Sequence, residues 1–103
     1  MKQIICLSHL PWQARPTRTQ QLFARMGDAQ ILFFEPAPPR GAPMPEQGRR
    51  VRAHITVYTL PAHTAPAGPE LRRRRALARC ADFIQATARR HRFRSPVVWC
   101  TAP

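Results

Sequence analysis

Ser8, His9, Trp12, Arg15 and Arg18 gather a hydroxyl, an imidazole, an indole and two guanidinium groups into one short stretch near the N-terminus. An aromatic face stacks on sugar rings, and Arg forks match phosphate oxygens. This loop is therefore a candidate substrate-binding segment, with the opposite reading that Trp12 packs the loop onto the fold and His9 meets solvent. Glu35 closes an apolar run, where its carboxylate would reach a sugar hydroxyl, an Arg of the first loop, or simply solvent. Thr101 follows a second apolar run and completes the substrate-side candidates. A separate group is basic: Arg72, Arg73 and Arg75 of an unbroken Arg run, with Arg79 beyond it, are candidate anion contacts. They suit nucleic acid or an anionic lipid surface, and they equally suit the solvated outer face of a surface helix.

Other chemistries find no footing in the residue list. There is no Ser-His-Asp set, no carboxylate pair and no GxGxxG fingerprint, and no residue stands out as catalytic. Cys6, Cys80 and Cys100 form no CxxC pair and no metal spacing with the four histidines, so neither metal nor cofactor is expected. Two of these cysteines lie inside apolar runs, which predicts buried, reduced thiols and a cytoplasmic protein. No stretch approaches the ~18 apolar residues of a membrane span, and the N-terminal apolar run is too short for a signal peptide.

The elements that must position these residues can be read from periodicity. Residues 3–8 and 30–35 are continuous apolar runs, the pattern of strands covered on both faces. Between them, Leu22, Phe23 and Met26 recur at helical spacing after Pro16, and Gly27-Asp28 closes the helix. Residues 36–52 hold five prolines and two glycines and read as an exposed, flexible loop. Residues 53–60 alternate apolar and polar, predicting a half-exposed strand near a sheet edge. A second Pro/Gly loop, residues 61–68, leads to a helix from Pro69 to about His91, apolar at Leu77, Cys80, Phe83, Ile84, Thr87 and Ala88. Val97-Val98-Trp99-Cys100 reads as a further buried strand. The sum is an α/β fold: a partial Rossmann-like parallel sheet of about four strands in the order 3-2-1-4, with two main helices. In such sheets ligands bind beyond the carboxyl ends of the strands, next to the first strand.

The chain of 103 residues has 17 Lys+Arg against 5 Asp+Glu, a formal charge of +12 that favours anionic partners. A GC-rich coding sequence produces the same Arg- and Pro-rich bias.

The strand Lys2–Ser8, a loop with Trp12, the segment Arg15-Pro16-Thr17-Arg18-Thr19-Gln20-Gln21-Leu22, a strand ending in Glu35-Pro36, and a final hydrophobic strand before Thr101-Ala102-Pro103 together resemble the start of bacterial GT-B glycosyltransferases. The resemblance spans residues 1–103 as one N-terminal, acceptor-side half-domain, and implies a nucleotide-sugar donor, an unidentified acceptor and a metal-independent reaction. It places Ser8, His9, Trp12 and Arg18 at an interdomain cleft. The donor-binding half is missing from these residues, so the chain is expected to be an incomplete enzyme, inactive alone. The alternative is a small basic α/β module that binds nucleic acid or another anionic partner through the Arg-rich helix. The expected surroundings are the cytoplasm, including peripheral contact with an anionic inner membrane face, and self-association through uncovered sheet surface.

Overall fold

A computed structural model describes residues 2–12, 15–62 and 69–101. Seven elements follow one another: β1 (Lys2–Leu7), α1 (Arg18–Ala24), β2 (Ala29–Glu35), β3 (Arg49–Arg52), β4 (Ile55–Thr59), α2 (Glu70–Arg90) and β5 (Val97–Cys100). They build an α/β fold around a mixed, mostly parallel sheet of five strands in the order β3-β4-β2-β1-β5. The four parallel strands thus lie in the order expected from the sequence. The register runs Ile4↔Ile31 and Cys6↔Phe33 on one side of β1, and Ile4↔Val97 and Cys6↔Trp99 on the other.

Two apolar layers form because side chains alternate across each strand. Ile4, Cys6, Ile31, Phe33, Ile55 and Val57 point to one face, where Phe23 of α1 is fully buried among them. Ile5, Leu32, Phe34 and Tyr58 point to the other, under Phe83, Ile84 and Ala88 of α2. Covering β2 on both faces explains why its sequence is apolar almost throughout.

α1 starts where Thr17, in extended conformation, accepts a hydrogen bond from the backbone N–H of Gln20 at 3.2 Å. It is shorter than its apolar spacing suggests, and stops at Arg25 ahead of Gly27; Leu22 faces solvent while Gln20 and Phe23 are buried. α2 ends in a tight reversal: Arg92 N–H bonds Arg89 C=O at 2.9 Å and Phe93 N–H bonds Ala88 C=O at 2.9 Å. That pair of bonds is a Schellman motif, with Arg92 at φ 60° where glycine is usual.

Four sequence expectations differ from the structure. The segment 36–52 is not loop throughout: Arg49–Arg52 form β3, antiparallel to β4, making five strands where about four were expected. Its Arg-rich pattern hides a strand because an edge strand needs only one apolar contact, here Val51 packed on the first layer. The stretch expected to be half-exposed is instead deep in the sheet, with Ile55, Val57, Tyr58 and Thr59 buried, because β3 takes the edge position. Conversely, β5 is exposed along its whole length, with Val97 at 60% and Val98 at 57%. It pairs only with β1, and neither helix spreads over it; Trp99 alone leans inward, edge-to-face on Phe23 at 5.6 Å. Leu77 is likewise exposed, since packing of α2 begins at Cys80. The second Pro/Gly loop lies outside the described residues from 63 to 68, as do Ala102 and Pro103.

Candidate functional site

In the parallel order β2-β1-β5 the strand order reverses at β1, and a small crevice lined by Ser8, His9 and Thr101 lies at the carboxyl ends of β1 and β5. The ladder runs one residue past each strand, with Ser8 N–H bonding Phe34 C=O at 3.0 Å and Thr101 N–H bonding Leu7 C=O at 3.1 Å. Ser8, His9 and Thr101 are therefore brought side by side. Thr101 Oγ1 accepts the His9 backbone N–H at 2.9 Å and lies 2.7 Å from His9 Nδ1. Ser8 Oγ turns inward, donating to Leu10 C=O at 2.7 Å and accepting from Leu10 N–H at 3.1 Å, which fixes the loop's exit. Thr17, which caps α1, and Thr19 and Gln20 within it close the other wall of a small cavity of about 60 Å³. That volume holds water rather than a sugar ring. The imidazole of His9 has no carboxylate partner among the described residues, so the His9–Thr101 pair is not part of a catalytic triad there.

Glu35 governs the neighbouring ground. It sits at the end of β2 and is buried at 4% exposure. Its Oε2 accepts the Trp12 backbone N–H at 2.9 Å, and its Oε1 accepts the Thr59 hydroxyl at 2.6 Å. Oε1 also accepts from Arg49 Nη2 in a salt bridge. One carboxylate thus ties together the first loop, β3 and β4. Of the partners foreseen for it, an Arg was right in type, but it comes from β3 and not from the first loop. Gln47 reinforces the same corner, donating Nε2–H to Thr59 C=O and accepting Thr59 N–H on Oε1, both at 2.8 Å. Its amide stands in for one more residue of strand beside β4.

The remaining sequence candidates scatter. Trp12 is half-buried and meets Phe33 edge-to-face at 5.1 Å, so it packs the loop as well as walling an open cavity. That cavity, about 330 Å³, lies between α1 and β3 and is lined by Trp12, Pro16, Gln20, Gln21, Ala24, Arg25 and Arg52. Arg15 is exposed on the loop, and Arg18 faces away beside Gln21, Leu22 and Arg25. Neither joins the His9–Thr101 crevice. Arg72, Arg73, Arg75 and Arg79 lie exposed on α2, where Arg74 pairs with Glu70 at 3.1 Å.

Several residues escaped sequence reading. Arg49 pairs with Glu35 across the sheet, and Gln20, Arg25 and Arg52 come together around one cavity, an arrangement that exists only once β3 is in place. Gln20 is buried at 3% and forms part of both cavities.

No protein-family model, curated protein or solved structure matches this chain. Among the described residues no group of three or more His, Cys, Asp or Glu could hold a metal ion, and no helix is long and apolar enough to cross a membrane. Burial pushes the Cys6 thiol up to about 12, with Cys100 adding to the effect. Burial also raises Cys80, whose Sγ lies 3.4 Å from Ala62 C=O, whereas Cys100 is exposed, against the expectation of a buried thiol. Burial, followed by the charges of Arg90 and Arg50, holds the His91 imidazole below its ordinary range.

Proposed function

We propose that this chain is the acceptor-side portion of a GT-B-type glycosyltransferase, with a half-Rossmann sheet that presents the β1/β5 crevice to a donor-binding domain. The observation that carries the reading is the His9–Thr101 contact, which joins the loops on either side of the strand-order reversal. In open α/β sheets that is where ligands sit. In this reading His9 and Thr101 hold an acceptor hydroxyl, and Ser8 keeps the loop in place. Glu35 acts from behind as a positioning residue through the Trp12 backbone. A nucleotide sugar is the donor, held mainly by the second domain, and no metal takes part.

The test is the coding sequence that follows Pro103 and the activity of its product. A second α/β domain, together with transfer of labelled sugar from a panel of nucleotide sugars, supports the reading, and His9→Ala in that product should reduce transfer. A stop codon with no donor domain encoded beside it overturns the reading of an active enzyme. The basic face of α2 favours a second reading, because Arg72, Arg73, Arg75 and Arg79 are exposed and without acidic partners among the described residues. Salt-sensitive RNA or DNA binding that disappears on changing Arg72, Arg73, Arg74 and Arg75 to Gln would favour it.

A further inference from the structure

The open cavity between α1 and β3 carries chemistry that the β1/β5 crevice lacks. All five acidic residues of the chain lie among the described residues, and the ion pairs they make with other described residues are Arg49–Glu35 and Arg74–Glu70. Arg25 and Arg52 therefore line this cavity as uncompensated cations. They arrive from different elements. Arg25 caps the end of α1, while a register shift between Arg50 and Arg52 inserts Val51 into β3. The bulge lets Val51 pack on the apolar layer and leaves Arg52 on the cavity wall. Gln20, Gln21 and Trp12 line the same cavity. The volume of about 330 Å³ falls within the size of small-molecule sites.

We propose that this cavity binds a sugar phosphate. The two guanidiniums match a phosphate monoester dianion, which needs paired planar donors and is repelled by the carboxylates this wall lacks. The indole offers an apolar surface to the ring carbons, and the Gln21 carboxamide can both donate to and accept from hydroxyls. The site shares only Trp12 with the residues proposed above to touch or position the acceptor, so it stands or falls independently of the transferase reading.

The probe is glucose 6-phosphate, with glucose and inorganic phosphate as separate arms, titrated at about 150 mM salt to suppress general attraction to the basic chain. The chain has two tryptophans, so Trp99→Phe leaves Trp12 as the sole reporter. Glucose 6-phosphate should change Trp12 fluorescence and release heat, and Arg25→Gln and Arg52→Gln should each weaken it by about tenfold. Changing Arg72, Arg73 and Arg75 together to Gln should leave the affinity unaltered. Chemical-shift mapping on the unsubstituted chain gives a measurement that needs no variant, with the expected shifts at Trp12, Gln20 and Gln21. Equal weakening by the α2 substitutions, or shifts confined to α2, would overturn the proposal. Inorganic phosphate binding as tightly as the ester would reduce the site to an anion hole and overturn the sugar-phosphate assignment, as would glucose alone binding equally well.

Discussion

Replacing Glu35 by Ala removes one side chain but releases three elements. The Thr59 hydroxyl, in a residue only 1% exposed, loses its acceptor at 2.6 Å. Leaving such a donor unpaired costs about 1–3 kcal/mol. The Trp12 N–H, bonded at 2.9 Å and only part-buried, can turn to water, and its loss is worth about 1 kcal/mol. Arg49 keeps 33% of its side chain in solvent, so its ion pair counts for no more than about 1 kcal/mol after screening. Together the substitution should cost about 3–4 kcal/mol, a large share of the ~5–15 kcal/mol that holds a domain folded. Urea unfolding followed by circular dichroism measures it, with the slope unchanged and the midpoint moved by about 2–3 M at the slope expected of a small domain. Glu35→Gln retains an acceptor oxygen and should lose roughly half as much. A double-mutant cycle with Arg49→Ala should give a coupling of about 1 kcal/mol. If Glu35→Ala costs less than about 1 kcal/mol, or Arg49→Ala alone costs as much as Glu35→Ala, the carboxylate is not the hub described here.

Four further outcomes are expected. Arg92→Gly should raise stability by about 1 kcal/mol, since φ 60° strains any residue with a Cβ; a loss of stability on thermal unfolding would contradict this. His91 lies 2.7 Å from the Tyr58 hydroxyl, which a neutral imidazole accepts at Nε2. Its lowered pKa means the unfolded chain takes up the proton first, so stability is full above 6.5 and falls as pH drops from there through the folded value. His91→Gln should flatten that part of the pH profile. Thiol labelling at pH 8 should mark Cys100 alone in the folded chain and all three cysteines in urea, because Cys6 and Cys80 are buried. Finally, concentration-dependent association through β5 should weaken on Val98→Lys, as sedimentation would show; unchanged association would place the contact elsewhere.

What could be read from the sequence was what repeats locally. The apolar runs of β1 and β2, the helix after Pro16 and the long amphipathic helix all announce themselves by spacing, and chain connectivity then restricts the strand order. β3 was hidden because its four residues are mostly arginine, and a strand at the rim is defined by its backbone neighbours more than by its side chains. The same blindness covered the candidate sites. Ser8, His9 and Thr101 were legible because they follow strands. Arg49, Arg52 and Gln47 become partners of Glu35, the cavity and Thr59 only once β3 exists. β5 misled in the opposite sense, since an apolar run says a strand can be buried, not that anything covers it.

The pairing of β1 has a kinetic consequence. One side of this strand is closed by β2, a single helix away, and the other by β5, nearly the whole chain away. During synthesis the β1–β2–β4 ladder can assemble early, while β1 waits as an open margin until residues 97–100 emerge from the ribosome. The least protected interval of this molecule's synthesis is therefore set by how quickly α2 docks and delivers β5, and slow translation of that stretch would prolong the exposure of β1.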